Sequence, residues 1–352
     1  MTSANNIQPN QARTVLVTGA NGYIGSAICR AFIRAGWKTF GLVRKASATT
    51  ELTLAEAIPV VGTFTDLSFL DALYEQSQTF DAIVSCTEQV PGYAAHFAEV
   101  MGLVRTLAEK SNQNGVRPLV LWSSGCKDYG SGDVHGAPGL SPHNEDSPLN
   151  TMALLQERTE SCLRVFDYPA LFDAAVLRPT CVFGYSSSYY GAMFDFAAQE
   201  AARGVKVLTI PGNPNSIMHA THIDDCAEAY LALAEHEDRK KVAGQAFNIS
   251  SHRYETSREV TEALAKEYGF EGGVEYVPVE EAGPTFPAGL HAVFSFSQWV
   301  GGDKIRAVTG WKDKRLLFSE NVGVHRRAYD LLKVGGHENI KEVQRRIEGG
   351  FK

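Results

Sequence analysis

Three glycines near the N-terminus have a spacing that suits the binding of a pyrophosphate. Gly19, Gly22 and Gly25 lie in the segment TGANGYIG, directly after the apolar run Thr14–Thr18 and at the start of an amphipathic segment. Between a strand and a helix, such glycines permit a tight turn and bring backbone N–H groups close to the phosphates. The sequence therefore predicts a dinucleotide site at this turn. Its other predicted contacts are Asn21, Tyr23 and Ile24.

The residues after the second predicted strand distinguish between two cofactors. An acidic side chain there binds the ribose 2′-hydroxyl of NAD, whereas cations bind the 2′-phosphate of NADP. The sequence has Arg44 and Lys45 directly after Thr39–Val43. We therefore expect NADP(H), with NAD(H) as the less favoured cofactor. Asp66 and Leu67 follow the third strand and are predicted to meet the adenine, although Asp66 could equally cap a helix.

The elements that must position this site form an alternating pattern. Short apolar runs alternate with helix-like segments through the first half of the chain. This pattern predicts a parallel sheet with helices on both faces, and the right-handed crossover rule makes it a doubly wound Rossmann fold. The predicted strands are Thr14–Thr18, Thr39–Val43, Pro59–Val61, Ala82–Ser85, Pro118–Trp122, Ala174–Leu177 and Gln245–Ile249, and the clearest helices are Ser26–Ala35 and Tyr93–Asn112.

The alternation also suggests a division of the chain. Residues 1–12 are predicted to be a disordered lead, and residues 13–183 with about 240–250 to form the α/β Rossmann domain. Residues 184–239 and 251–352 are predicted to form a smaller C-terminal α/β domain on the substrate side. The segment Gly125–Asn150 is rich in Gly, Pro, Ser and Asp, and a connection of this length is usually a functional lid or disordered.

Composition excludes several classes of protein. The net charge is −7, with 33 basic and 40 acidic residues and no basic block, which argues against nucleic-acid binding. No apolar stretch approaches the roughly 20 residues of a membrane span. The six cysteines are scattered without a CxxC pair, and no HExxH pattern accompanies His219 and His222. We therefore expect a cytoplasmic protein that takes a small-molecule substrate and holds no metal.

Further segments carry a family resemblance that extends over nearly the whole chain. Besides the glycine turn, they are Ser123-Ser124, Leu177-Arg178-Pro179, Val182-Phe183-Gly184, His222-Ile223-Asp224-Asp225 and Gly310-Trp311. In these motifs the chain resembles the extended short-chain dehydrogenases/reductases, the NAD-dependent epimerase/dehydratase group. The resemblance implies that Ser124 binds the substrate, with Ser123 as its alternative. It also implies cofactor contacts from Ser85, Ser123, Gln156, Pro179 and Val182.

The resemblance further implies a Tyr-x-x-x-Lys pair on the helix that follows Ser124. Here that segment reads TMALLQERTE, and one register puts Met152 and Gln156 at the two positions. A shift of two residues puts Leu154 and Arg158 there instead. Neither register supplies a phenol, so the family's usual acid–base residue is not found at this place.

Several other residues are candidates to replace this pair. Tyr129 and His219 are catalytic candidates, although a structural or substrate-shaping role is the more common one for a tyrosine at this place in the family and most histidines are not catalytic. Lys127 and the pair Tyr189 and Tyr190 are candidates for substrate contact, with exposed charge and aromatic packing as the alternatives.

Three functions are compatible with these observations. The first is an NADP(H)-dependent oxidoreductase of the epimerase/dehydratase type that acts on a carbonyl or hydroxyl group of a small organic substrate. The second is a non-redox isomerase, lyase or cyclase on the same scaffold, and the third is a catalytically inactive protein that senses NADP(H). In the family, helices matching Tyr93–Asn112 and Asn150–Val165 often form a dimer interface, so a homodimer is one expectation. A helix that faces the core of a monomer has the same apolar stripe.

Overall fold

A computed structural model of the protein describes residues 12–282 and 286–349. Within these ranges most of the chain is regular. The strands are β1 (Thr14–Thr18), β2 (Lys38–Val43), β3 (Ile58–Val61), β4 (Ala82–Ser85), β5 (Leu119–Ser123), β6 (Asp173–Pro179), β7 (Cys181–Phe183), β8 (Leu208–Pro211), β9 (Ile217–Met218), β10 (Ala220–His222), β11 (Gln245–Ile249), β12 (Glu255–Thr256) and β13 (Val274–Val277).

The helices alternate with these strands in the first half of the chain and dominate the second. They are α1 (Tyr23–Arg34), α2 (Thr49–Leu54), α3 (Leu70–Gln76), α4 (Tyr93–Gln113), α5 (Gln156–Leu163), α6 (Tyr189–Ala202), α7 (Ile223–Ala234), α8 (Ser257–Tyr268), α9 (Ala288–Ser295), α10 (Asp303–Thr309), α11 (Val322–Val334) and α12 (Glu338–Gly349). Single 3₁₀ turns at Cys126–Tyr129 and Ala153–Leu155 flank the segment that leads into α5.

The central sheet has seven parallel strands in the order β11-β6-β5-β4-β1-β2-β3. The doubly wound Rossmann prediction is therefore confirmed. Its central strands are buried on both faces, which is why they read as continuous apolar runs in the sequence. The order of the strands along the chain reverses between β1 and β4, and ligands of such sheets bind at the carboxyl ends of the strands at this switch point.

Two helical layers cover the sheet. Helices α3, α4 and α5 pack on one face around Phe97 and Val104, whereas α1 and α7 pack on the other around Phe32 and Tyr230. Residues 184–239 were predicted to lie on the substrate side, but α7 belongs to the Rossmann layer, because Ile223 and its apolar neighbours share one core with α1 and the central strands. That boundary was therefore wrong for α7.

A separate core lies on the substrate side. It joins α6, α8, α9, α11, α12 and the parallel pair β8–β13 around aromatic residues such as Phe183, Phe194 and Phe318. This arrangement agrees with a smaller α/β part that follows the Rossmann sheet.

The segment Gly125–Asn150 is tied to the C-terminal part of the chain. Gly132 N–H donates to Ser297 O at 2.7 Å, and His143 N–H donates to Trp299 O at 2.9 Å. The ring of His143 also stacks on Tyr129, with the two ring centroids 5.3 Å apart. The lid expected from composition is thus anchored, because its backbone groups are paired with residues 297–301.

The central sheet supplies a direct test of this core. Leu121 in β5 is fully buried, whereas Leu331 in α11 is 75% exposed. Leu121→Ala is expected to lower the free energy of unfolding by about 2–5 kcal/mol, because it removes buried methyl groups and leaves a cavity. Leu331→Ala, the matched control, is expected to change it by less than about 0.5 kcal/mol. Urea unfolding measures both, and equal losses would contradict the burial described here.

Candidate cofactor and substrate site

The glycine turn closes tightly between β1 and α1. Gly22 N–H donates to Gly19 O at 2.8 Å, and Gly19 has a φ of 63°. A Cβ atom at Gly25 would lie 2.2 Å from Gly19 O, so a larger residue would force the turn apart. Helix α1 begins at Tyr23, earlier than the predicted Ser26, and no side chain caps it. Its first N–H groups therefore suit a pyrophosphate.

The other residues predicted at this turn differ in their surroundings. Asn21 is exposed, and Ile24 packs against the core beneath the sheet. The hydroxyl of Tyr23 donates to Gly184 O at 2.7 Å, which connects the turn to the loop after β7. The Tyr23 hydroxyl thus holds two segments of the protein together at the cleft.

The predicted adenosine end lies beside β2 and β3. Arg44 and Lys45 are exposed immediately after β2. Asp66 Oδ1 accepts a hydrogen bond from Ser68 N–H at 3.0 Å. Hydrogen bonds with the backbone and the side chain of Ser68 lower the pKa of the Asp66 carboxyl group. Leu67 is partly buried against the core. Asp66 therefore stabilises a local turn; it does not cap α3, whose N-cap residue is Phe69.

The serines at the strand ends are directed differently. Ser85 is buried at the end of β4. Ser123 Oγ lies 2.8 Å from the Tyr230 hydroxyl and 3.3 Å from Cys86 Sγ, so it faces α7. The next residue, Ser124, directs its hydroxyl to Asp128 and not to α7, which favours Ser124 over Ser123 for substrate binding.

Ser124 belongs to a buried network centred on Asp128. The Ser124 hydroxyl donates to Asp128 Oδ2 at 2.6 Å, and Thr159 Oγ1 donates to Oδ1 at 2.8 Å. Arg158 Nη2 lies 2.7 Å from Oδ1 and Arg178 Nε lies 3.3 Å from Oδ2. Asp128 is only 1% exposed, so this carboxylate depends on the two guanidinium groups for charge compensation. Because the Ser124 proton is directed to Asp128, its oxygen can accept a hydrogen bond from a ligand.

Glu88 extends this network into the loop after β4. Its Oε1 atom lies 2.9 Å from Arg158 Nη1, so Arg158 joins Glu88 and Asp128. Glu88 was not predicted as a site residue from the sequence. Its position three residues after β4, at the carboxyl edge of the sheet, could have indicated it.

The contacts of Tyr129 support a structural role and do not support a role as a catalytic acid. Its hydroxyl donates to Asn248 Oδ1 at 2.8 Å and accepts a hydrogen bond from Arg178 Nη1 at 3.0 Å. The residue is 1% exposed, and burial raises the pKa of Tyr129 to about 12. The catalytic role expected for Tyr129 therefore does not fit, because the hydroxyl is enclosed and its proton is already committed.

His219 is likewise committed to the protein interior. Val300 N–H donates to Nδ1 at 3.2 Å, so Nε2 carries the proton and donates to Ser251 O at 3.1 Å. Burial lowers the pKa of His219 to about 4. Both ring nitrogens are used, and the acid–base role considered for His219 is corrected to a structural one.

The two tyrosines at the start of α6, Tyr189 and Tyr190, lie in different surroundings. Tyr190 packs in the substrate-side core, 4.5 Å from Phe318 between ring centroids, so the expected substrate contact is not available to it. Tyr189 is only partly buried, and Lys127 Nζ lies 5.4 Å from its ring centroid. Lys127 Nζ also lies 5.2 Å from the ring centroid of Phe296.

The helix after Ser124 places its residues on two sides. Met152 and Gln156 are exposed, and Gln156 Nε2 donates to Glu160 Oε1 at 2.9 Å. Arg158 and Thr159 turn inward, and both contact Asp128. The cofactor contact expected of Gln156 is therefore corrected, because its amide points to solvent and is bonded along the helix.

A Tyr-x-x-x-Lys spacing does occur elsewhere in the sequence, at Tyr329 and Lys333 in α11. The Tyr329 hydroxyl donates to Asp195 Oδ2 at 2.9 Å, and Lys333 Nζ lies 2.6 Å from Asp195 Oδ1. Both residues thus attach α11 to α6.

The remaining predicted contacts lie on β6 and β7. Pro179 ends β6 beside Ile249, and Val182 is buried in β7 beside Thr221. Residues 12–282 and 286–349 contain no cluster of acidic, His or Cys side chains able to hold a metal ion. Across these same ranges, no helix is long and apolar enough to cross a membrane.

The seven-stranded parallel sheet and the glycine turn define a Rossmann-type protein. The sequence profile of the NAD dependent epimerase/dehydratase family matches residues 15–250. The chain belongs to this family, which supports a pyridine nucleotide as its cofactor.

Individual relatives are distant in sequence. The chain is 27% identical to the UDP-glucose 4-epimerase of Mycolicibacterium smegmatis over 278 residues, which cover 75% of this chain and 85% of that protein. It is 24% identical over 285 residues to the spore coat polysaccharide biosynthesis protein SpsK of Bacillus subtilis, covering 80% and 88% of the two chains.

Solved structures resemble the fold over nearly its full length. The dTDP-glucose 4,6-dehydratase of Bacillus anthracis in complex with NAD matches with a TM-score of 0.67 and 17% identity, covering 92% of this chain and 98% of that one. The UDP-glucose 4-epimerase of Thermotoga maritima with UDP-glucose matches with a TM-score of 0.67 and 19% identity, covering 91% and 99%.

The Asp128 network predicts a large effect of a small substitution. Asp128→Asn removes the charge that compensates Arg158 and Arg178, and is expected to lower the free energy of unfolding by about 3–5 kcal/mol. Asp146→Asn, at an exposed carboxylate of the same loop, is the control and is expected to have little effect. Urea unfolding compares the two variants, and similar stabilities would contradict a buried hub.

The buried His219 predicts a pH dependence of stability. As the pH falls below about 6.5, the unfolded chain binds a proton that folded His219 resists until about pH 4. This stabilisation is present above pH 6.5 and lost toward pH 4, by up to about 3 kcal/mol. His219→Gln should lose less stability than the wild type across this window, whereas His135→Gln, at an exposed histidine, should follow the wild type. Urea unfolding at several pH values measures this, and parallel curves for His219→Gln would refute the assignment.

Proposed function

We propose that the protein is an NADP(H)-dependent oxidoreductase of the epimerase/dehydratase type that acts on a carbonyl or hydroxyl group of a small organic substrate. The observation that carries the proposal is the pairing of an open helix N-terminus at Tyr23 with two exposed cations, Arg44 and Lys45, at the end of β2. These features match the pyrophosphate and the 2′-phosphate of one dinucleotide.

The residues of the cradle fit such a cofactor. Gly22 and Gly25 leave room for the backbone to approach the pyrophosphate, and the first turn of α1 supplies its N–H donors. Arg44 and Lys45 would bind the 2′-phosphate with charge-assisted hydrogen bonds. When bound, the nicotinamide supplies or accepts a hydride. Leu67 would contact the adenine.

The substrate side of the cleft has its own polar groups. The Ser124 oxygen would accept a hydrogen bond from a substrate hydroxyl, because its proton is donated to Asp128. Lys127 follows Ser124 by three residues, and its Nζ atom lies 5.4 Å from the ring centroid of Tyr189. Relatives named as UDP-glucose 4-epimerases support a substrate with hydroxyl groups.

A second candidate is a non-redox isomerase, lyase or cyclase that retains the cofactor. It is favoured by the segment TMALLQERTE, which offers Met152 and Gln156 in one register of the family's Tyr-x-x-x-Lys motif and Leu154 and Arg158 in the other, and so supplies no phenol in either. A catalytically inactive NADP(H) sensor is favoured by the same residues. Turnover without a net change in nicotinamide absorbance would support the non-redox enzyme.

The cofactor preference can be tested by titration with NADPH and NADH, followed by cofactor fluorescence. Arg44→Ala is expected to weaken NADPH binding by about 10–100-fold, because it removes charge-assisted hydrogen bonds to the 2′-phosphate. NADH binding should change by less than about threefold, since NADH lacks that phosphate. Lys312→Ala, at an exposed lysine remote in sequence, is the matched control. Equal affinity of the wild type for both cofactors would refute the NADP assignment.

The oxidoreductase proposal itself is tested with a panel of aldehydes, ketones and keto sugars. The wild-type protein is mixed with NADPH and each compound, and the loss of nicotinamide absorbance is recorded. Substrate-dependent NADPH oxidation supports the proposal. Tight NADPH binding without oxidation by any member of the panel would favour the non-redox and sensor alternatives.

A further inference from the structure

The guanidinium group of Arg158 lies beside Ser124. Arg158 Nη2 lies 2.7 Å from Asp128 Oδ1, and the Ser124 hydroxyl donates to Oδ2 of the same carboxylate at 2.6 Å. A Cβ atom at Gly125 would lie 3.6 Å from Arg158 Nη2 and 3.7 Å from Nη1, so the guanidinium packs against the residue that follows Ser124. Ser124 and Gly125 are both partly exposed. A short ligand that reaches the Ser124 oxygen therefore comes close to Arg158.

The two sides of the Arg158 guanidinium have unlike partners. The inner side faces Asp128, whose side chain is 1% exposed, and the outer side faces Glu88, whose side chain is 40% exposed. Arg158 Nη1 lies 2.9 Å from Glu88 Oε1. Burial fixes the inner pair, because separating it would leave an uncompensated charge, whereas a pair with an exposed carboxylate contributes little to stability. The outer side of Arg158 is thus the side on which one carboxylate can replace another.

Arg158 has donor capacity that these two partners do not use. Its side chain is 9% exposed, yet Nε has no hydrogen-bond partner among residues 12–282 and 286–349. A buried donor without an acceptor costs free energy, and such a group calls for an explanation. Asp128 also divides its charge between the guanidinium groups of Arg158 and Arg178. The interior therefore compensates Arg158 only in part, and the exposed Glu88 supplies the other carboxylate.

A second cation lies near the same carboxylate. Burial lowers the pKa of the Lys127 amine. Smaller effects come from Cys181, from Arg158, which lowers the pKa further, and from Glu88, which raises it. The charges of Arg158 and Glu88 thus both reach Lys127. A ligand carboxylate in the place of Glu88 would meet the same two positive charges.

We propose that Arg158 binds a carboxylate group of the substrate, which takes the place of Glu88 at Nη1 while Asp128 keeps Nη2. The proposal rests on the proposed function and deepens it, because it makes the substrate an oxo acid or hydroxy acid. Its carboxylate lies close to the carbonyl or hydroxyl group that Ser124 binds, since Ser124 and Arg158 contact the two oxygens of one Asp128 carboxylate. A short acid held at both residues has its reacting carbon fixed in position.

The binding test compares oxo acids with their primary amides, which have nearly the same shape and no charge. Protein saturated with NADP⁺, which cannot reduce a carbonyl group, is titrated by calorimetry with pyruvate and pyruvamide, and with acetoacetate and acetoacetamide. In at least one pair the acid is expected to bind about 10-fold or more tightly than its amide, because the guanidinium forms charge-assisted hydrogen bonds with the carboxylate alone. Equal affinities in both pairs would overturn the proposal.

Glu88→Gln removes the competing charge and keeps the size of the side chain. It is expected to strengthen binding of the acid by about 3–10-fold and to change binding of the amide by less than about twofold. Glu262→Gln is the matched control, because it removes an exposed carboxylate that pairs with Arg258 on α8, and it should change neither affinity. An acid affinity that Glu88→Gln leaves unchanged or lowers would contradict the exchange of carboxylates.

Arg158→Gln is expected to reduce the affinity for the acid to that for the amide. Its folding is checked by circular dichroism, because Asp128 loses a compensating charge in this variant. Where Arg158→Gln does not fold, the acid–amide pairs and Glu88→Gln decide the question in folded protein. A folded Arg158→Gln variant that still prefers the acid would overturn the proposal.

The outcomes separate this inference from the proposed function. In turnover with NADPH, Glu88→Gln should lower KM for an acid that the wild type reduces and leave kcat within about twofold, since a carboxylate contact of this kind is made before the chemical step. Binding of an acid through Arg158 without NADPH oxidation contradicts the oxidoreductase and leaves the carboxylate site standing. Reduction of neutral carbonyl compounds, with no preference for the acid in either pair, overturns the inference alone.

Discussion

The buried carboxylate of Asp128 is the interaction on which the site depends. It receives hydrogen bonds from Ser124 and Thr159 and is compensated by Arg158 and Arg178, so it joins the end of β5 to α5 and β6. An unpaired charge at this depth would be strongly destabilising, and the network is therefore expected to hold its geometry as a unit. The direction of the Ser124 proton and the position of the Arg158 guanidinium both follow from it.

This constraint divides the polar residues near the cleft into two groups. Tyr129, His219 and Ser123 have partners inside the protein and support the fold. Arg44 and Lys45, in contrast, are exposed at the end of β2. Proximity to the cleft alone does not make a side chain available for chemistry; the direction of its hydrogen bonds decides.

Much of the scaffold could be predicted from the sequence. The strands Thr14–Thr18, Ala82–Ser85 and Gln245–Ile249 were predicted with the bounds that the structure has. For the first two the reason is that strands buried on both faces read as apolar runs. The assignment of α7 to the substrate side was wrong because an amphipathic helix shows which face is apolar but not which surface it packs against. The anchoring of Gly125–Asn150 was also missed, since its backbone partners lie at residues 297–301.

The sequence by itself determined the glycine turn and the cations after β2, because their chemistry depends on neighbours within a few residues. The tertiary structure alone decided which ionisable groups are buried and what compensates them. Asp128 meets Arg158 and Arg178 from positions 30 and 50 residues away, and Arg158 meets Glu88 across 70 residues. Local spacing carries no record of such pairs, since their separation along the chain is set by the intervening strands and helices. The proton acceptor of Ser124, the structural roles of Tyr129 and His219, and the partners of Arg158 therefore emerged only from the folded chain.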